Sequence, residues 1–200
     1  MCLHIFVNEW RSNPLNADCD ISPSPPHIKL LIFAQTGIMV HMTDSSAGAL
    51  ALVNALIQNE KLISKLYANY ASLFANDSDF WTKISSDETD HARWLDELFI
   101  KIKQEVVQID ENRLKLEALT NFTAYINEQI ARAETGNITS IQALSVSMDM
   151  ENSIIEQGVF KVYETDDAEL QETFDRLRTA TEAHFSNVKR HWLVARKSSE

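Results

Sequence analysis

The sequence predicts an all-α protein: a four-helix bundle of two helical hairpins joined by a crossover that contains a short extra helix. Three observations predict it. All four prolines (Pro14, Pro23, Pro25, Pro26) lie in the first 26 residues, and beyond Gly48 the only glycines are Gly136 and Gly158, too little turn chemistry for a many-stranded sandwich or barrel. Past residue 43, apolar residues recur at three-and-four spacing over long segments. Short clusters of Asn, Asp, Ser and Thr, the residues that cap helices, separate those segments.

The elements follow in chain order. Thr43-Asp44-Ser45-Ser46 caps a first helix whose stripe (Val53, Leu56, Ile57, Ile63, Tyr67, Tyr70, Phe74) runs to about Ala75. Asn76-Asp77-Ser78-Asp79 breaks and recaps the chain for a second helix, with Phe80, Trp81, Ile84, Trp94, Leu95, Leu98, Phe99 and Ile102 on its stripe, to about Val107. So short a connection makes the two antiparallel neighbours. A shorter amphipathic piece from about Arg113 to Ala133 ends at Gly136, a natural helix terminator, and reads as the crossover. Thr139 or Ser140 caps a third helix (Ile141, Leu144, Met148, Ile154, Ile155, Val162), and Thr165-Asp166-Asp167 caps a fourth (Leu170, Phe174, Leu177, Val188, Trp192).

Composition bounds the function. With 200 residues, 44% hydrophobic and 24% charged, the chain has the balance of one ordinary globular domain. The net charge is −11, and two bases against three acids in residues 1–42 leave −10 on the rest, so nucleic acid is not an expected partner. Cys2 and Cys19 both precede the helices, which excludes a disulfide framework and a Cys-based zinc or rubredoxin-type iron site there. The longest apolar run, Leu30 to Val40, includes Gln35 and Thr36 and falls short of the roughly 18 residues that span a bilayer, so no membrane partner is expected. Lys29 and that run could pass for an export signal, but 28 residues with three acids and a Pro cluster come first; the expected location is cytoplasmic. Residues 1–42 show no sustained period and read as an irregular N-terminal segment, with a misassigned start ahead of Met39 or Met42 as the alternative. Residues 43–200 make the bundle domain.

The informative residues are polar ones where the apolar stripe should continue. On the first helix Glu60 falls between Leu56 or Ile57 and Ile63 or Tyr67, on the buried face, where a lone carboxylate is costly. On the second, Glu88 and His91 stand one turn apart on the core side, at Glu-x-x-His spacing. Glu151 repeats Glu60 on the third helix, and Thr181-x-x-His184 repeats the second helix less perfectly on the fourth. Glu60 to Glu151 spans 91 residues and His91 to His184 spans 93, as duplicated hairpins would. Taken singly, each residue reads as a stripe-edge carboxylate or a satisfied core histidine. Jointly they bury several carboxylates with no Lys or Arg on the stripe, and like charges at short range stay ionised together only around a cation.

One Glu from each of two helices plus Glu-x-x-His from each of the other two is the ferritin-like di-iron carboxylate pattern. NEKLISKLY with SSDETDHARWLDEL, and MENSIIEQGVFKVYE with TATEAHFSNVKRHW, resemble the rubrerythrin branch of that superfamily over about residues 44 to 195. The resemblance implies metal ligation by Glu60 and Glu151 as terminal carboxylates, Glu88 as a bridging carboxylate, and His91 and His184 as terminal imidazoles. It implies iron, two ions in a complete site, with manganese or zinc as alternatives. Thr181 departs, since the family pattern has a second bridging Glu there; Glu182 lies about 100° round the helix. The rubredoxin module is also missing, so redox chemistry would need an external electron donor. Three outcomes are open: a di-iron peroxidase or oxidase, a single-metal site, or a decayed bundle acting as a scaffold or interaction protein. Tyr67 reads first as core, His191 as a bundle-end residue, and Asp87, Asp90, Asp96, Glu97, Glu169, Glu172 and Asp175 as solvated faces. The family resemblance also implies a homodimer or larger homo-oligomer, which Trp81 or Trp94 could serve.

Overall fold

With no proline and no glycine beyond Gly48 to interrupt it, the first apolar stripe forms one unbroken helix. The structure, a computed structural model, describes residues 44–104, 115–156 and 168–197. All of them belong to the second of the two units into which the chain divides, Met1–Val40 and His41–Glu200. Five α-helices carry them: α1 (Asp44–Leu73), α2 (Ser78–Lys103), α3 (Leu116–Glu134), α4 (Ser140–Glu156) and α5 (Ala168–Lys197). No strand occurs among the described residues, as the sequence predicts. None of these helices is long and apolar enough to cross a membrane. The expectations for residues 1–42, for the extensions to Val107 and Val162, and for the cap at Thr165-Asp166-Asp167 lie outside the described residues.

The connections follow local chemistry, with two departures from expectation. Between α1 and α2 the chain makes one 3-10 turn, Ala75–Asp77. Asp77 stands at the N-cap of α2, yet its side chain does not cap it. Its Oδ2 accepts from Ser140 Oγ at 3.3 Å instead, tying the start of α4 to this turn. The crossover helix α3 begins at Leu116 rather than Arg113, because Lys115 is extended (φ −91°, ψ 127°). It ends as Gly136 predicts. The Gly136 amide donates to the Ala133 carbonyl and the Asn137 amide to the Arg132 carbonyl, both at 2.9 Å, with Gly136 at φ 68°. Thr139 and Gln142 then form a capping box for α4: the Gln142 amide donates to Thr139 Oγ1, and the Thr139 amide to Gln142 Oε1.

α1 and α2 pack antiparallel along a tight seam. Ser64 Oγ donates to the Ser85 carbonyl and Ser85 Oγ to the Ser64 carbonyl, both at 2.8 Å, an approach that only small side chains permit. α3 also packs on α1, held by Asn59, which donates to the Leu119 carbonyl and accepts from Thr123 Oγ1 at 2.6 Å. α4 and α5 pair antiparallel, with Trp192 Nε1 donating to Ser145 Oγ at 2.9 Å. α2 meets α5 at the stacked rings of Phe80 and His191, 3.7 Å apart, at the Arg176 guanidinium over the Trp94 ring, and at His184, while their backbones approach closely at few points.

The core divides in two. One half gathers Leu52, Val53, Leu56, Leu98, Ile102 and Phe174; the other gathers Ile63, Leu66, Tyr70, Trp81, Ile126 and Met150. Glu60 lies between Leu56 and Ile63 in sequence, at the level where one half gives way to the other. Trp81 is fully buried against Tyr67 and Tyr70, which removes it as a surface for self-association.

Gly136 gives a clean test of this reading of the crossover. A Cβ there would meet nothing within 4 Å, so any cost of Gly136→Ala comes from the left-handed backbone alone. The expected loss is about 1–2 kcal/mol in urea unfolding, with Gly136→Asn losing less because Asn tolerates that conformation.

Candidate metal centre

Four helices deliver polar side chains to the waist between the core halves: Glu60 from α1, Glu88 and His91 from α2, Glu151 from α4, and Thr181 and His184 from α5. The i,i+3 spacing puts Glu88 and His91 on one face of α2. Glu88, His91, Glu151, Thr181 and His184 are all buried, and Glu60 keeps 12% of its side chain exposed.

Glu88 is the hub. Its Oε2 stands 2.7 Å from His91 Nδ1 and its Oε1 stands 2.9 Å from His184 Nδ1, so each carboxylate oxygen faces one imidazole. The two rings stack at 25° with centroids 5.1 Å apart. Glu60 and Glu151 stand one step further out. Glu60 Oε2 is 3.8 Å from His91 Nδ1, and Glu151 Oε1 is 4.0 Å from His184 Nδ1. Among the described residues, no Lys or Arg pairs with any of the three glutamates.

The electrostatics follow from this crowding. Burial and the charge of Glu88 push Glu60 up to about 7 despite the neighbouring imidazole of His91. Burial, with the charges of Glu88 and Glu60, pushes Glu151 up to about 8 against the pull of His184 and Tyr67. Glu88 goes the other way: burial would raise it, but the hydrogen bonds from His184 and His91 outweigh burial and hold it below the usual carboxylate range. Burial would lower His91, but Glu60 and Glu88 together push it up to about 11. His184 is raised by Glu88 and Glu151 in the same way.

Glu88, His91 and His184 offer ligand atoms that all lie within 4.8 Å of one another and could hold a metal ion. The donor chemistry fits one. Around an ion with bonds of about 2.1 Å, adjacent ligand atoms stand roughly 3 Å apart and opposite ones roughly 4.2 Å. The 2.7 and 2.9 Å separations match the first, and the 3.8 and 4.0 Å separations fall just inside the second. The three donors together spread over as much as 4.8 Å, wider than one such shell, so each imidazole shares a position with Glu88 more readily than with the other imidazole. Glu60 Oε2 is also buried without a hydrogen-bond partner, a cost that a cation would remove.

Sequence reasoning placed five residues at this centre. The structure brings Glu88, His91 and His184 into direct contact and sets Glu60 and Glu151 beside them. Thr181 is there too, but its Oγ1 donates to the Leu177 carbonyl at 3.0 Å, so the hydroxyl is turned back onto its own helix. Glu182 is exposed, as its helical angle requires.

Two residues had been read otherwise. Tyr67, read as core, donates its hydroxyl to Glu151 Oε1 at 2.8 Å. Asp87, read as a solvated acid, is only 28% exposed, with Oδ2 3.5 Å from His184 Nε2. Its adjacency to Glu88 hid it, because neighbours in sequence do not share a helix face. Comparison of the chain with protein-family models, with curated proteins and with solved structures finds no match.

The pKa directions set the pH dependence of chelator-treated protein. His91 rises from 6.5 to about 11, so its stabilisation is complete below pH 6.5 and is lost as pH rises toward 11. Glu60 and Glu151 rise from 4.5 to about 7 and 8, so their contribution also drains away as pH rises through those values. Only Glu88 has the opposite sign, its stabilisation being present above 4.5 and lost below. The melting temperature should therefore fall between about pH 6 and about pH 9, and the double variant Glu60→Gln with Glu151→Gln should flatten that slope. A melting temperature that rises over this range would contradict the assignment.

Proposed function

We propose that this chain is a ferritin-like metal-binding protein of rubrerythrin type, its helices forming a four-helix bundle around a two-ion site, with peroxide- or dioxygen-reducing activity. The observation that carries the reading is Glu88, a buried carboxylate with one imidazole nitrogen on each oxygen and a further carboxylate beyond each imidazole. Antiparallel α1–α2 and α4–α5 pairs joined through α3 support the bundle.

In this reading Glu60, Glu88 and His91 would hold one ion, and Glu151, Glu88 and His184 the other. Iron is the expected metal, and manganese or zinc suits the same donors. Bound iron would supply the change of oxidation state that dioxygen or peroxide reduction needs. The protein's residues do the rest. Glu88 bridges. The hydroxyl of Tyr67 holds Oε1 of Glu151, the oxygen 4.0 Å from His184 Nδ1, and so positions that carboxylate beside the centre. Asp87, behind His184, orients that ring and strengthens its inner nitrogen as a donor. With no cysteine in residues 43–200, electrons come from an external donor.

Thr181 supports a second reading, in which the bundle has one ion or none and serves as a scaffold. A hydroxyl bonded to its own helix supplies neither charge nor bridge.

Metal quantification separates the two. After anaerobic reconstitution with ferrous ion, the expected content is about two ions per chain, and no bound metal would end the metal-binding reading. Glu88→Gln should weaken both positions together, by about 100-fold or more, whereas Glu60→Gln and Glu151→Gln should each release one ion. If the scaffold reading holds, replacing Glu60 and Glu151 together by Gln or Leu should leave stability equal or raised, since buried carboxylates without a metal cation beside them cost free energy.

A further inference from the structure

The backbones of α2 and α5 approach closely at few points, and a cleft of about 440 Å³ lies between them. Asp87 and Asp90 of α2 and Ala183 and Asn187 of α5 line it, and His91 and His184 belong to the same wall. Two of the buried donors are thus reached from this side. The α1–α2 seam, by contrast, is closed by the reciprocal bonds of Ser64 and Ser85.

His184 stands between the cleft and the centre. Its Nε2 is 3.5 Å from Asp87 Oδ2, and its Nδ1 is 2.9 Å from Glu88 Oε1. One ring therefore has an outer carboxylate on one edge and an inner carboxylate on the other.

We propose that this cleft is the route by which a divalent cation reaches the buried donors, with Asp90 and Asp87 as outer way-points and His184 as the side chain that yields to pass the ion inward. The inference rests on the metal-binding reading above.

Size and charge support it. A water molecule occupies about 30 Å³, so the cleft has more than twice the room that an ion with six waters requires. A buried site cannot take an ion with its full hydration shell, so stepwise replacement of water by carboxylate oxygens eases the passage. The cations nearby do not block it. On the wall Lys83 pairs with Asp87, and Arg190 donates to Asn187 Oδ1 at 3.1 Å; Arg93, off the wall, pairs with Asp90 at 3.0 Å. Such exposed ion pairs are worth little, so an incoming divalent ion displaces Lys83 and Arg93 readily.

The test is stopped-flow uptake of Co²⁺ by the chelator-treated full chain, followed by the visible absorption of cobalt, together with equilibrium binding. Ala183 is an exposed helical position, so Ala183→Trp adds bulk at the cleft without filling the core. Association and dissociation should both slow by about 10-fold with little change in affinity, the mark of an obstructed path. Asp90→Asn, which changes no bulk, should slow association by roughly 3-fold, and more at low salt. Unchanged association in both variants overturns the route and leaves metal binding standing, as does a fall in affinity without a change in association. A wild-type chain that takes up no Co²⁺ overturns the metal-binding reading itself.

Discussion

Glu88 sits at the waist of the core with an imidazole on each of its two oxygens, and the placement of the helices around it follows from keeping that carboxylate satisfied. An ion moved into an apolar interior without a partner costs several kcal/mol even after relaxation. Two nitrogens from two helices meet that cost for Glu88 and fix how α5 lies against α2, since His91 comes from the same helix as Glu88 and His184 does not. Phe80 on His191 and Arg176 over Trp94 tie the same two helices on either side of this polar contact.

The two sides of Glu88 are not equivalent, although the sequence repeats. On the α5 side, Asp87 backs His184 and Tyr67 anchors Glu151. On the α2 side, the ring of Trp94 lies 5.2 Å from His91 and an oxygen of Glu60 has no hydrogen-bond partner. A histidine backed by a carboxylate is a better electron donor than one backed by an aromatic ring, whereas a carboxylate already holding a hydrogen bond is a poorer one. On the metal-binding reading these effects partly cancel within the His184 position, and the His91 position keeps its unpaired oxygen for the ion.

The helices were legible because their signals are local. Gly136 ends α3 in a left-handed turn and Thr139 with Gln142 starts α4, and both follow from a few neighbouring residues. Polar residues on the inner face were legible through the helical period alone, which is why Glu60, Glu88, His91, Glu151 and His184 could be named together. What the period does not encode is partnership across helices. Asp77 has the chemistry of a cap, but Ser140 competes for it from another helix. Tyr67 has the periodicity of core, and its burial is indeed complete; only the position of Glu151, 84 residues away, turns its hydroxyl into part of the centre. Asp87 was misread for a related reason, because a side chain between the inner and outer faces takes its role from whichever neighbouring helix it meets.

The contrast between the seams ties this architecture to access. Ser64 and Ser85 exchange hydroxyl-to-carbonyl bonds, so α1 and α2 are drawn together about one turn from Glu60 and Glu88. Ala180 and Ala183 on α5 are also small, but the cleft wall on α2 carries Lys83 and Asp90, whose heads stay in water, beside Asp87, which turns to His184. Small residues facing small hydrogen-bonding ones draw backbones together, whereas small residues facing solvated charges leave a gap. The same residue size therefore draws α1 and α2 together on one side of the centre and leaves a cleft on the other, and the cleft is the side that His91 and His184 line.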